Sequence, residues 1–493
     1  MEQDFGLLAS FPPPVELHIE DQHLDHAAKE YIRELNLNKA ELKKAVISNH
    51  AGAIEIADPA TNTIGCCFVA SILIDALRSK DSSAIEPAAV HQVLFNFLSR
   101  FDVLQVRYVG SLFRSILEEV CTARFFSPLF TVELVSAAIF RLDPSGSVYT
   151  SAYLPVAKLA LAEDCVDAVL PIIDRDLTFF PGAPTMRHGR PLFDAALPPP
   201  YYITKSTGLT DDVEPAHVLE YYYVSGLLYI TRRDWTKARK AFERAVTYPG
   251  KDRGVSRISL AAYKRWLLVG LLADGAAPTL PNYTLSWTKH SFPRLCATYT
   301  NLTESFLAGT SETLTSTVSS NAATWEEDGT QSLVAEVVDA YQRWLIVKLR
   351  HVYSRLPISQ IQKEITRALT SLNAGDVIAL LESMIDSGSL KAELRRGAAG
   401  EEDYLIFQED RALLSEADFA REIAQSHHTI TSLTEEYKLV NERLSTNREY
   451  VSHMARETKR AEKEKENLMG DFEENLEDDE DLMTGAMQVD NTD

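Results

Sequence analysis

The sequence has few cysteines and no long apolar run. Its 493 residues include only five cysteines, and no Cys-x-x-Cys pair occurs. Scattered, odd-numbered thiols in so long a chain are typical of a reduced intracellular protein, not of a disulfide framework. The most apolar stretch, 64–77, has 14 residues and contains Asp75, whereas a membrane span needs about 20. The N-terminal Met-Glu-Gln-Asp also lacks a signal peptide's basic and apolar regions, so we expect a soluble intracellular protein.

Catalytic and nucleotide-binding motifs are also missing. The sequence contains no G-x-x-x-x-G-K-[ST], G-x-G-x-x-G, G-x-S-x-G or H-E-x-x-H. Its twelve histidines never form His-x-His. His23 and His26 lie one helical turn apart, but no thiol or carboxylate motif surrounds them. We therefore predict a protein without catalytic residues, cofactor or metal.

Basic residues are scarce, and the acidic excess is concentrated at the C-terminus. The net charge is −22, and residues 471–493 supply −10 of it, with ten Asp or Glu and no Lys or Arg. Nucleic-acid binding depends on Lys and Arg that neutralise phosphates, so a nucleic-acid partner is not expected. We predict that residues 467–493 form a disordered acidic tail.

Amphipathic helical segments dominate the first 306 residues. Apolar residues recur at helical spacing, while the alternation that marks strands is almost absent before residue 389. One stretch has the spacing of a tetratricopeptide repeat, with small and aromatic residues that let two helices approach: Gly226, Tyr229, Ala238, Phe242, Ala245 and Pro249. One repeat cannot bury its own face, so 1–306 is predicted to be a helical-repeat solenoid.

Two breaks interrupt this helical pattern. Residues 181–215 are rich in proline and include Pro198-Pro199-Pro200. Residues 307–332 are rich in Ser, Thr and Gly and poor in apolar residues. The first predicts a long surface loop, and the second a loop or linker that closes the repeat region.

Residues 333–411 are predicted to contain a winged helix. After a helix from Val334, two amphipathic helices are followed by two short strands with Gly397 to Gly400 between them. The second helix, which would enter a DNA groove, has no Lys or Arg but carries Asp376, Glu382 and Asp386. Because carboxylates repel phosphates, we predict that this module contacts protein.

A long C-terminal helix is predicted over 412–466. Apolar residues follow alternating steps of three and four, which is the spacing of a coiled-coil seam. The seam is predicted to bind a partner, and its apolar members are Phe419, Ile423, Ile430, Leu433, Tyr437, Val440, Leu444, Val451 and Met454.

Helical repeats, a winged helix and a long closing helix, in this order, resemble the PCI family of the proteasome lid, the COP-nine signalosome and translation initiation factor three. The residues that carry the resemblance are Tyr221-Tyr222-Tyr223 with Gly226, Ala238 to Ala245, Pro249, Ala261 to Leu272, Leu280 to Thr284, Leu356 to Ser359, Met384 to Gly388, the two wing strands, and Glu435, Glu436 and Leu439 to Leu444. They resemble signalosome subunits most. The fold that this implies is mostly α: a tetratricopeptide-like solenoid, a winged-helix PCI module with a small β-hairpin wing, and a long C-terminal helix.

The resemblance also implies a function. Signalosome complexes remove a ubiquitin-like modifier from the cullins of cullin-RING ubiquitin ligases, with a metalloprotease carried by another subunit. A member without that motif is expected to be a scaffold in nucleus and cytoplasm. Its expected partners are other signalosome subunits, bound edge to edge through PCI modules and through a C-terminal helical bundle, and indirectly the ligases.

Three alternatives remain open from the sequence. A proteasome-lid or initiation-factor subunit would share the same architecture. A helical-repeat adaptor would bind a peptide on a concave face around Tyr222 to Phe242. A homodimeric coiled coil would also explain the seam.

Overall fold

The computed structural model describes residues 5–12, 21–78, 86–181, 191–249, 254–307, 311–350, 352–368, 374–396, 403–407, 416–445, 450–452, 454–456 and 458–459. Residues 1–410 form one compact unit and residues 411–493 a second. In the described residues, no helix is both long and apolar enough to cross a membrane.

The first unit begins with a 3-10 turn and eight helices. Twelve residues of the fourth helix are buried, because its sequence is apolar on nearly every side, as expected for a core helix. The elements are η1 (Leu8–Ser10), α1 (Asp21–Leu37), α2 (Lys39–Ser48), α3 (His50–Ile56), α4 (Thr63–Arg78), α5 (Pro87–Arg100), α6 (Val103–Val106), α7 (Gly110–Val120) and α8 (Pro128–Leu142).

Eight further helices continue the stack: α9 (Tyr153–Ala162), α10 (Val166–Ile173), α11 (Pro199–Tyr202), α12 (Pro215–Thr231), α13 (Trp235–Thr247), α14 (Arg257–Asp274), α15 (Ser286–Leu295) and α16 (Ala297–Leu307).

The α12–α13 hairpin has the packing predicted from repeat spacing. A Cβ on Gly226 would lie 2.5 Å from the buried ring of Phe242, so only glycine permits this approach. Asp234 caps α13 by accepting a hydrogen bond from the backbone N–H of Lys237 at 3.1 Å.

The proline-rich segment is irregular, but the prediction that it is a surface loop is wrong for residues 191–214. Leu197, Tyr202, Ile203 and Leu209 are buried there. The guanidinium of Arg107 donates from Nη1 to the carbonyls of residues 192 and 194 at 2.8 and 2.9 Å, and it lies 3.8 Å from the centroid of the Tyr202 ring. These bonds tie the segment to Arg107, and the carbonyl of residue 194 also accepts from the backbone N–H of Leu197 at 3.2 Å. Residues 182–190 lie outside the described residues.

The prediction of a loop or linker over 307–332 is also wrong. Residues 311–327 form α17 (Ser311–Ser320) and α18 (Ala322–Glu327). Leu314 and Trp325 are each only 1% exposed, and the Trp325 indole meets the Tyr299 ring edge to face at 4.8 Å. Hydroxyls that would compete with the helix are satisfied inside it, as where Thr317 donates to the carbonyl of Thr313 at 2.7 Å.

Helix α19 (Gln331–Leu349) belongs to two hydrophobic cores. Val337 and Tyr341 lie in the core of the helical repeats. Ile346, little more than one turn later, is fully buried in the core of the winged helix. The two modules of the first unit therefore share one helix, and no flexible linker separates them.

The winged helix consists of β1 (Arg355–Pro357), α20 (Ile358–Ala368), α21 (Ala374–Asp386), β2 (Ala392–Arg395) and β3 (Tyr404–Phe407). The strands are antiparallel in the order β1-β3-β2. The predicted hairpin is confirmed as β2 and β3, where Leu394 lies opposite Leu405. Sequence reasoning missed β1, whose Leu356 pairs with Leu405 from the other side. Three residues ending in proline give no strand period to recognise.

The second unit contains α22 (Glu416–Ser445). Residues 450–452, 454–456 and 458–459 are also helical. The structure thus confirms the long helix over its described residues. The predicted acidic tail, 467–493, lies outside them.

Candidate assembly surface on the C-terminal helix

The predicted seam is an exposed apolar stripe, hereafter the stripe. Seven of its nine members are between 41 and 69% exposed: Phe419, Ile423, Ile430, Leu433, Tyr437, Val451 and Met454. Val440 and Leu444 are partly exposed. Apolar side chains of a soluble protein are seldom left in a continuous row on the surface unless another molecule covers them.

The geometry of α22 makes this row straight and long. Steps of three and four residues keep the stripe on one side of the helix. At a rise of about 1.5 Å per residue, the 30 residues of α22 extend for about 45 Å. A single side chain or a short loop would cover only part of a row this long. A partner helix lying alongside α22 would cover all of it.

Residues beside the stripe include a few charged side chains. Its described side chains on one flank are Ala420, His427, Thr434 and Asn441, and on the other flank Glu422 and Thr429. Coiled coils use charged flanking pairs to choose a partner and an orientation. The sequence adds Glu436 and Arg443 to the second flank, which supplies the charged positions that such a choice uses.

One exposed leucine of α22 lies off the stripe. Leu439 is 46% exposed and sits two residues after Tyr437, so its side chain points about 200° away around the helix. It has the same chemistry as Leu433, which is 58% exposed. This pair allows the stripe to be tested against an equally apolar, equally accessible position.

The wing offers a second surface. Strand β2 is an edge strand, since β3 is its sole sheet neighbour among the described residues. An edge strand can pair with a strand of another chain. On α21, Glu382 and Asp386 are exposed, and Arg396 lies 3.8 Å from Glu382. These exposed carboxylates fit the predicted preference for protein over nucleic acid.

Within the described residues, no three His, Cys, Asp or Glu side chains are arranged to hold a metal ion. Burial raises the pKa of the Cys66 thiol to about 12, with a smaller contribution from Asp58. Burial likewise raises the pKa of the Cys121 thiol to about 12, with Glu118 adding to it. Both thiols are therefore protonated at neutral pH and poor nucleophiles.

A polar cleft of about 470 Å³ lies beside the start of α13. It contains three cations, but carboxylates pair with all of them: Arg232 with Asp167, Arg233 with Glu336, and Lys237 with Asp174. The cleft therefore offers no free positive charge to an anionic ligand.

The peptide-receptor alternative does not fit the α12–α13 hairpin. Tyr222 is 7% exposed and Phe242 is fully buried. These side chains fill the space between helices, as repeat packing requires, and they present little surface to a ligand.

Stacked helical hairpins that share a helix with a winged helix, followed by a long helix with an exposed apolar stripe, are the architecture of a PCI-type protein. Comparison with known families narrows this class. Residues 27–287 match the family model described as "COP9 signalosome complex subunit 3, N-terminal helical repeats".

Individual relatives agree with the family match. The chain is 34% identical to "COP9 signalosome complex subunit 3" of Neurospora crassa, over 98% of this chain and 99% of that protein. It is 27% identical to the protein of the same name from Emericella nidulans, over 81% and 82% of the two chains. A Dictyostelium discoideum protein of that name is 24% identical over 48% of this chain and 54% of its own length. The chain belongs to the COP9 signalosome subunit 3 family, which decides between the sibling PCI complexes.

Proposed function

We propose that the chain is a non-catalytic assembly subunit of the signalosome. It joins other subunits through its C-terminal helix and through the edge of its winged helix. The observation that carries this proposal is the exposed stripe from Phe419 to Met454. Family membership supports it, because the relatives are named as subunits of a complex.

The catalytic step belongs to another subunit in this proposal. The complex removes a ubiquitin-like modifier from cullins, and this chain acts on cullin-RING ligases indirectly, by holding the complex together. Its sequence contains no His-Glu-x-x-His or other catalytic motif. We propose both nucleus and cytoplasm as locations for the chain, as the family resemblance implies.

The energetics favour burial of the stripe in a helical bundle. Fully burying a large apolar side chain contributes about 1.5–3 kcal/mol. Since the stripe residues are roughly half exposed, each has about 1 kcal/mol still to gain. Nine such contributions total about 9 kcal/mol, which is of the order of the entropy that association costs, so the further contacts of a multi-subunit bundle and of the wing edge add to the hold on a partner.

The test is the double variant Leu433→Asp with Val440→Asp, expressed as the full chain together with its partner subunits. An aspartate buried in a bundle loses its hydration, so we expect partner recovery to fall at least tenfold. Circular dichroism and the melting temperature should remain those of the unaltered chain.

The single variant Leu433→Asp adds one negative charge in the stripe, and its matched control is Leu439→Asp, which adds one negative charge off the stripe. The control should leave co-purification unchanged. Equal losses for the control and Leu433→Asp would mean that charge on α22, and not contact along the stripe, weakens assembly. Intact assembly after deletion of 415–460 would refute the proposal altogether.

A further inference from the structure

The first described segment, residues 5–12, is packed like a bound peptide. Phe5, Leu8 and Phe11 are 3%, 0% and 4% exposed, while the residues between them include exposed Gly6 and Ala9. A turn of the chain separates Phe5 from Leu8, where the 3-10 helix begins, and the backbone N–H of Ala9 donates to the Phe5 carbonyl at 3.1 Å across it. The segment thus has one apolar side with three anchors, and its other side is exposed.

The site that receives this segment contains polar side chains that form hydrogen bonds to it, in addition to apolar side chains. The side-chain amide of Asn62 donates from Nδ2 to the Leu8 carbonyl at 2.7 Å, and the Tyr31 hydroxyl lies 3.4 Å from the same oxygen. Phe11 stacks on the Tyr31 ring at 5.0 Å with an interplanar angle of 11°. Asn62 and Tyr31 are themselves buried. Two buried side chains therefore recognise a backbone carbonyl of the segment and one of its aromatic rings.

The receiving site is held in shape by residues outside the segment. Asn62 accepts a hydrogen bond at Oδ1 from the backbone N–H of Gly65 at 2.8 Å, which caps α4 and turns Nδ2 toward the segment. A Cβ on Gly65 would lie 2.7 Å from Asn62 Nδ2 and 2.8 Å from the Tyr31 hydroxyl, so glycine keeps both donors in place. Burial raises the pKa of Tyr31 to about 12, against a smaller opposing effect of its bond from Asn62, so the hydroxyl remains a donor.

We infer that the first helical layer, between α1 and α4, is a peptide-binding groove whose ligand is an apolar segment of the pattern Phe-x-x-Leu-x-x-Phe, and that residues 5–12 occupy it in cis. The assignment is independent of the stripe, which lies in the other unit of the chain. A tethered ligand has a high effective concentration, so the groove is blocked to other peptides while residues 5–12 remain in it. A partner segment of the same pattern gains access only when this one leaves.

The direct test uses a chain that lacks residues 1–12 and a fluorescent peptide of residues 1–14. We expect saturable binding with one peptide per chain. A peptide with Leu8→Asp should bind at least tenfold more weakly, because the fully buried anchor would carry a charge. The intact chain should also bind the unaltered peptide at least tenfold more weakly, because its groove is filled. Equal binding of the two peptides, or none to the folded shortened chain, would overturn the inference.

A second measurement decides the case if the shortened chain does not fold. In the full chain, Asn62→Asp keeps the oxygen that accepts from Gly65 but removes the donor to the Leu8 carbonyl. Hydrogen exchange in residues 5–12 should accelerate at least tenfold, with exchange in α12 and α13 unchanged. Tyr31→Phe should have a smaller effect, since its bond to the carbonyl is long. Unaltered exchange in residues 5–12 of Asn62→Asp would show that these bonds do not hold the segment.

Discussion

Replacing Asp328 by alanine should destabilise the helical repeats strongly, although the residue lies in the segment predicted to be a linker. The carboxylate of Asp328 accepts hydrogen bonds from Lys264 Nζ at 2.6 and 2.7 Å and from the Tyr299 hydroxyl at 2.8 Å. Thr330 lies 2.8 Å from that same hydroxyl. Arg265 donates to the backbone carbonyl of Asp328 at 3.0 Å. This network joins α14 and α16 to the turn before α19.

The magnitude follows from burial and charge. The Asp328 and Lys264 side chains are only 20% and 18% exposed, so solvent screens their interaction weakly. A hydrogen bond to a charged group contributes about 1.5–3 kcal/mol, and removing one member of a fully buried pair costs about 3–5 kcal/mol. Since some exposure remains, we expect Asp328→Ala to lower the free energy of unfolding by about 2–4 kcal/mol.

Urea denaturation of the full chain measures this loss, with the slope against denaturant checked for constancy. Lys264→Met should also destabilise, and the double variant should lose less than the two single losses together, because neither charge is then left alone. The control is Asp167→Ala, whose partner is Arg232 and whose side chain is 78% exposed; an exposed pair contributes at most about 1 kcal/mol. A loss below about 1 kcal/mol for Asp328→Ala, or strictly additive single losses, would refute the reasoning.

Two further predictions concern packing in the helical repeats: at the α12–α13 hairpin, which the sequence predicted, and at Arg107, which it did not. Gly226→Ala should destabilise by about 1–2 kcal/mol in thermal unfolding, because the clash with Phe242 exceeds the gain in helix propensity, and adding Phe242→Leu should recover part of the loss. A stabilising effect of Gly226→Ala would contradict this prediction, because it would require free space between residue 226 and the Phe242 ring. Arg107→Met should cost about 1–3 kcal/mol, because the Leu192 carbonyl loses its bond from Arg107 and the Asp194 carbonyl keeps only the donor from Leu197. Proteolysis within 191–214 should then accelerate while cleavage of α12 and α13 does not.

Local patterns explain what could be predicted. The small and aromatic residues of the α12–α13 hairpin are close in sequence and directly give its packing, as Gly226 and Phe242 show. The stripe was predictable for the same reason, because its spacing lies within one helix. Leu433 and Tyr437 are indeed exposed along α22, although no described contact identifies what covers them.

Distant partners explain what could not be predicted. Trp325 is buried because it meets Tyr299, 26 residues earlier, and a Ser- and Thr-rich window gives no sign of that partner. The proline-rich segment is buried because Arg107, more than 80 residues away, satisfies its carbonyls. Composition alone therefore described both segments as more exposed than they are. The groove for residues 5–12 was missed in the same way, since Asn62 is 54 positions from the carbonyl that it binds.

The shared helix α19 connects fold stability with assembly. The first half of α19 is buried in the core of the helical repeats, and Ile346 in its second half is buried in the core of the winged helix. The turn that contains Asp328 and Thr330 lies directly before α19. Loosening the Asp328 network should therefore alter how the winged helix is held and weaken partner contacts that Asp328 never makes. Charges in the stripe act differently, since Leu433 supports no described core. Assembly lost together with stability points to the network, whereas assembly lost at unchanged stability points to the stripe.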